Sequence, residues 1–183
     1  MHLAHLRLRD FRNYARCDVN FGPGFHVLLG DNGQGKTNIL EAIYLIATLR
    51  SFRGVGGSQM IRHGQKGYFI GANVVSDLEQ EVKIYWSSSE RNISKDATPI
   101  KKLTDYLGTL RAVVFCTEDL QLVKGTARMR RRFVDLLLSQ SQPDYLAVLQ
   151  RYTRAVKSRN AVLKQRQVDD ALLNSFTHEV LEL

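Results

Sequence analysis

Apolar and polar residues alternate at the start of the chain: Leu6 and Leu8 stand between Arg7 and Arg9, and Cys17, Val19 and Phe21 between Asp18 and Asn20. That period of two predicts two short strands. A turn follows at Phe21-Gly22-Pro23-Gly24. The next run, Phe25-His26-Val27-Leu28-Leu29, is mostly apolar and stops at Gly30, the pattern of a buried strand feeding a loop. Beyond the loop, Ile39, Leu40, Ile43, Tyr44, Ile46 and Ala47 recur at three- and four-residue spacing and predict a helix with one broad buried face. Gly54, Gly56 and Gly57 end that unit.

Further on, Tyr68 to Val75 and Glu81 to Trp86 are rich in β-branched and aromatic residues and predict an antiparallel hairpin, after which the polar stretch from Ser87 to Asn92 predicts a turn. Ala112-Val113-Val114-Phe115 is a second candidate for a buried strand. From about Arg128, Gly and Pro nearly vanish apart from Pro143, and two helical patterns follow. The second carries Leu146, Leu149, Tyr152, Val156 and Leu163 on one side. A boundary near Gly125 divides the chain into residues 1–125 and 126–183, and no internal repeat is visible.

With 183 residues, 44% of them hydrophobic, the chain can bury the core of one domain and an appendage. Cys17 and Cys116 are far apart and lack histidines at metal-ligand spacing, so neither a disulfide framework nor a zinc site is expected, and a reducing cytoplasm fits. No stretch approaches the roughly 18 apolar residues of a membrane span, and no membrane partner is expected. The net charge of +8 is concentrated. Between Lys124 and Arg166, eleven Lys and Arg face two acids (+9), leaving fifteen against sixteen (−1) elsewhere.

Gly30-Asp31-Asn32-Gly33-Gln34-Gly35-Lys36-Thr37 matches, at every fixed position, the phosphate loop of Gly, four residues, Gly-Lys and Ser or Thr. A strand entering and a helix leaving would aim backbone N–H groups and a helix N-terminus at an anion. The glycines let the backbone turn tightly near phosphates, Lys36 supplies a charge for the β- and γ-phosphates, and the Thr37 hydroxyl is the expected Mg²⁺ ligand. The alternative is a Gly-rich turn with no ligand. The motif does not choose between ATP and GTP, or between binding and hydrolysis.

The basic segment has two readings: a solvated helix face, or a surface for nucleic-acid phosphates. Arg128-Met129-Arg130-Arg131-Arg132 favours the second, because four guanidiniums within five residues repel one another unless an anion is near. No helix-turn-helix or zinc-finger pattern is present, so sequence-tolerant binding is expected.

Several segments resemble the RecF family, relatives of the SMC and ABC-type ATPase heads. They are Leu8-Arg9-Asp10-Phe11-Arg12-Asn13-Tyr14, the loop and helix from Gly30 to Ile43, Arg50-Ser51-Phe52-Arg53, Val114 to Leu120, Leu122-Val123-Lys124-Gly125, Arg130 to Asp135 and Lys157 to Leu163. The resemblance implies an α/β fold of the P-loop NTPase, ABC/SMC-head type: a first lobe with an antiparallel β subdomain, then helices that begin an arm-like second domain. It implies ATP and Mg²⁺ as cofactors and a homodimer formed around nucleotide. It also implies action in DNA replication, recombinational repair and the SOS response, on single-stranded or gapped DNA, alongside other recombination mediators and in support of recombinase loading. Arg12 and Asn13 are carried over as ATP contacts, although Arg12 reads equally well as a surface residue capping a turn. Thr117 and Glu118 lie where related heads place a sensing glutamine, and no glutamine stands there.

No apolar run ending in Asp-Glu follows, and no signature motif. Hydrolysis needs such a carboxylate and a composite site, so weak nucleotide binding with little or no turnover is expected of this chain alone. Two rivals stay open: a small P-loop phosphotransferase with Arg130–Arg132 as lid residues, and a non-catalytic, nucleotide-sensitive DNA clamp.

Overall fold

The computed structural model describes residues 1–165, 167 and 169–183, the side chain of Glu118 excepted. Arg166 of the basic run and the Glu118 side chain of the sensing position therefore lie outside the described residues. The chain forms two compact units, Met1–Thr126 and Ala127–Leu183.

In the first unit, six antiparallel strands form one sheet in the order β2-β1-β3-β4-β5-β6. They are β1 (His2–Phe11), β2 (Tyr14–Asn20), β3 (Gly67–Val75), β4 (Glu79–Ser87), β5 (Arg91–Lys95) and β6 (Thr98–Pro99). Register aligns one apolar face across three strands: Leu6 pairs with Ala72 and Leu8 with Ile70, and these pair with Val82 and Ile84 in turn. All six are buried at 3% exposure or less. The opposite face is polar, with Arg7 reaching Glu81 at 2.9 Å and Lys83 the same carboxylate at 2.7 Å. The Lys83 ammonium, with Arg7 behind it, holds the Glu81 carboxyl below its ordinary range.

Strict alternation would turn Phe11 away from the face that Leu6 and Leu8 occupy. Asp10 prevents this by adopting φ 50, a region that Asp tolerates better than most residues, and Phe11 is fully buried. Phe11 meets Tyr68 edge to face at 5.3 Å.

Against the apolar face packs α1 (Lys36–Thr48), through Ile39, Ala42, Leu45, Ile46 and Ala47. Its buried stripe is rotated from the expected one, since Leu40 is 49% exposed while Glu41 is wholly buried. Tyr106, also buried, donates its hydroxyl to the Ile46 carbonyl and ties the 103–110 segment to α1.

Two expectations fail. Residues 25–29 form no strand, and Phe25, Val27 and Leu29 are exposed. The run 112–115 is likewise not a strand, with Val113 76% and Phe115 93% exposed. The reason is the same for both. A buried parallel strand exists only between neighbours that take its hydrogen bonds and cover both its faces, and among the described residues no strand pairs with either run. Their composition suits burial, but nothing here buries them. A single helical turn, α2 (Gln121–Lys124), closes the unit.

Among its described residues the second unit holds three helices where the pattern predicts two: α3 (Ala127–Ser141), α4 (Tyr145–Val162) and α5 (Asp170–Glu182). Along α4 the buried positions are Leu146, Ala155 and Val162. Tyr152 and Leu163, expected on that side, are each 45% exposed. Helix α5 starts at Asp169, whose carboxylate accepts from the Leu172 amide at 3.0 Å, and Arg159 of α4 donates to Thr177 of α5 at 3.0 Å. Tyr145 donates to Asp135 at 2.8 Å, an acceptor that holds its phenol above the ordinary range. No helix among the described residues is long and apolar enough to cross a membrane.

Candidate nucleotide-phosphate site

The loop from Gly30 to Gly35 leads into the N-terminus of α1. Gly30, Gly33 and Gly35 take φ of 141, 85 and 99, values that L side chains rarely adopt. At Gly35 there is also no room: a Cβ would stand 2.7 Å from the Asn13 amide atoms and 2.8 Å from the Tyr14 hydroxyl. The β1–β2 turn thus lies directly beneath the loop, and Asn13 donates to the Gln34 carbonyl at 3.2 Å. The Tyr14 hydroxyl lies 3.4 Å from the same oxygen. Partial burial, with Cys17 adding to it, raises the Tyr14 phenol, which keeps it a donor.

Two features suit this helix end to an anion. Helix α1 has no side-chain cap and no acidic residue in its first turn. Its N-terminal donors and positive dipole end are therefore unopposed. Lys36, meanwhile, folds across the loop and donates to the carbonyls of Gly30 and Asp31, each at 2.7 Å. The ammonium is held where loop backbone and helix end converge, free to exchange two carbonyl acceptors for a phosphate. Thr37 is exposed at the same end, as are Asp31, Asn32 and Gln34. Among the described residues no group of three or more His, Cys, Asp or Glu side chains gathers to hold a metal.

The two residues carried over beside the loop part company. Asn13 reaches it, whereas the Arg12 guanidinium grips Glu41 through two bonds of 2.8 and 2.6 Å and donates to the Gln59 carbonyl at 2.8 Å. Two of the three guanidinium nitrogens of Arg12 are thus committed to a fully buried carboxylate. Glu41 also accepts from Ser51 at 2.5 Å and lies 3.5 Å from Arg53. Arg53 in turn donates to Asn38, and Asn38 to Asn13. Asn38, Glu41 and Arg53 belong to no spacing motif. The sequence signals were their place in the segments that resemble the RecF family and, for Glu41, a carboxylate on the apolar side of α1, next to Ala42.

In the second unit, Arg128, Arg130, Arg131 and Arg132 occupy the first half of α3 and are exposed. No ion pair to an Asp or Glu is found for Arg128, Arg131 or Arg132 among the described residues.

Comparison with known proteins gives a consistent picture. Residues 2–108 match the model of the RecF/RecN/SMC N terminal domain. The chain is 40% identical over 172 residues to the DNA replication and repair protein RecF of Lactobacillus johnsonii, covering 93% of this chain and 46% of that protein. It is 38% identical over 185 residues to that of Symbiobacterium thermophilum, covering 100% and 49%. Among solved structures, the recombination mediator protein RecF-ATP in the RecFOR pathway superposes with a TM-score of 0.89 at 27% identity, over 98% of this chain and 50% of that one. A structure from work on ATP-driven dimerisation of SMC ATPases matches in fold, with a TM-score of 0.56 at 17% identity over 74% of this chain and 98% of that one. The chain spans about half the length of the curated relatives it matches.

Proposed function

Because the chain belongs to the RecF/RecN/SMC N-terminal domain family, we propose that residues 1–125 are the ATP-binding first lobe of a head in a DNA replication and repair protein. Residues 126–183 open its arm-like second domain. The uncapped end of α1, with Lys36 folded across a Gly30–Thr37 loop of left-handed glycines, is the observation that carries this reading. Loop amides hold the phosphates, Lys36 moves onto the β- and γ-phosphates, and Thr37 ligates Mg²⁺. Asn13 buttresses the loop from below. The choice of ATP over GTP is supported by the RecF structure with ATP, 27% identical to this chain.

Where neighbouring strands are supplied, the exposed runs 25–29 and 112–115 become central strands. Nucleotide then controls homodimerisation, and the Arg128–Arg132 segment tracks the phosphates of single-stranded or gapped DNA. Other recombination mediators join it, and the outcome is recombinase loading in repair and the SOS response, in the cytoplasm. This chain by itself has no strand-terminal Asp-Glu to orient water, so it binds ATP·Mg²⁺ and turns over little of it.

The test is titration of ATP·Mg²⁺ and GTP·Mg²⁺ into the chain, with Lys36→Ala as control, while gapped-DNA binding is followed in the same samples. Lys36-dependent ATP preference that strengthens DNA binding supports the switch. Nucleotide binding without any effect on DNA favours the phosphotransferase, and P-loop-dependent turnover by this chain overturns the claim of inactivity.

A further inference from the structure

Two separate paths join the phosphate loop to one buried side chain. The first runs through side chains: Asn13 donates to the Gln34 carbonyl at 3.2 Å, Asn38 donates to Asn13 at 2.8 Å, Arg53 donates to Asn38 at 3.0 Å, and Arg53 lies 3.5 Å from Glu41. The second runs through the backbone: Asn13 follows Arg12, whose guanidinium is bidentate on Glu41. Arg12 holds the unfavourable φ of 56, and its amide is tied to the Met60 carbonyl at 2.8 Å. Asn13 is therefore gripped from both sides, and both grips end on the same carboxylate.

Glu41 is 0% exposed on the helix face that otherwise buries Ile39, Ala42, Leu45 and Ile46. A buried ion pair contributes little net stability compared with apolar side chains of the same volume. What a carboxylate can do there, and an apolar residue cannot, is orient two guanidiniums at once. We infer that Glu41 is the positioning residue of the phosphate loop, aligning Asn13 beneath Gln34 through Arg53 and Asn38 on one side and Arg12 on the other. It touches no phosphate itself. Its effect is to present the loop backbone, and the start of α1, in the geometry an anion requires.

The inference concerns the nucleotide site proposed above, and its first readout needs no nucleotide. Amide hydrogen exchange is measured on the full 183-residue chain, wild type, Asn38→Ala, Glu41→Gln and the double variant. Asn38→Ala cuts the side-chain path and leaves the buried pair intact. Exchange at Gln34 and Ile39, whose amides are bonded to the Asp31 and Gly35 carbonyls, should rise by about five- to tenfold, the loss of roughly one hydrogen bond's protection, while β1 and β3 stay at wild-type rates. Glu41→Gln should raise loop exchange by more than it raises strand exchange, and the double variant should add nothing in the loop beyond Glu41→Gln alone, since the path through Asn38 ends on Glu41 and is already cut there. A second readout, the Kd for ATP·Mg²⁺, should rise by a similar factor in Asn38→Ala.

Wild-type loop exchange in Asn38→Ala overturns the inference, as does an equal rise in loop and strand exchange in Glu41→Gln, which would mark a merely structural carboxylate. Should Glu41→Gln not fold, Asn38→Ala decides alone. If the wild type binds no ATP, the functional reading fails while loop exchange still decides the role of Glu41.

Discussion

Replacing Gly35 by Ala strikes the loop twice. The backbone at Gly35 has φ 99 and ψ 5, a left-handed conformation that costs an L-residue about 1–2 kcal/mol. The new Cβ would lie 2.7 Å from the Asn13 amide atoms and 2.8 Å from the Tyr14 hydroxyl, where ordinary contact begins near 3.4 Å. Asn13 must then swing aside and give up its bonds with Gln34 and Asn38, together worth about 1–3 kcal/mol. The combined loss is roughly 2–5 kcal/mol out of a typical total of about 5–15 kcal/mol. At this chain length each kcal/mol lowers Tm by about 2–4 °C, so a circular-dichroism melt should shift down by roughly 4 °C or more. Exchange at Gln34 and Ile39 should rise with it. If the loop instead relaxes locally, the shift shrinks but the exchange signal grows. A Tm within about 1 °C of wild type together with unchanged loop exchange would falsify the steric argument.

The arginines of α3 give a second test: in Arg130→Ala/Arg131→Ala/Arg132→Ala, the salt dependence of DNA binding should flatten by roughly one unit per lost phosphate contact, and an unchanged slope would assign these residues to folding or an interface. Alkaline pH probes the core, because burial pushes the Tyr68 phenol up to about 12 from an ordinary 10.0. The folded state keeps its proton where the unfolded chain loses it, so this stability is full below pH 10 and is lost as pH rises through 12; Tyr68→Phe should flatten the urea midpoint over that window. Finally, Phe25 and Phe115 are 105% and 93% exposed, so Phe25→Ser/Phe115→Ser should cost no more than about 0.5 kcal/mol in this chain while reducing self-association by light scattering. A large fall in Tm would show that these rings are buried after all.

Some of this protein is determined by local sequence alone. The period of two in β1, β3 and β4 specifies which side chains face the core, because a one-residue slip would exchange every one of them. The loop is equally local: glycines at 30, 33 and 35 permit the turn, and the helix after Lys36 supplies the donors. Family membership follows from such segments read together.

The rest needed tertiary structure, for a common reason: it depends on what stands opposite. The runs 25–29 and 112–115 carry the composition of buried strands, yet burial belongs to a pair of elements, and among the described residues no strand pairs with them. Phe11 reaches the core because Asp10 turns the backbone to φ 50, a local irregularity that alternation does not reveal. Arg12 and Glu41 are 29 positions apart, and Arg53 and Asn38 fifteen. Only the packing of α1 against the sheet brings them within hydrogen-bond distance and makes one buried carboxylate the common anchor of the loop.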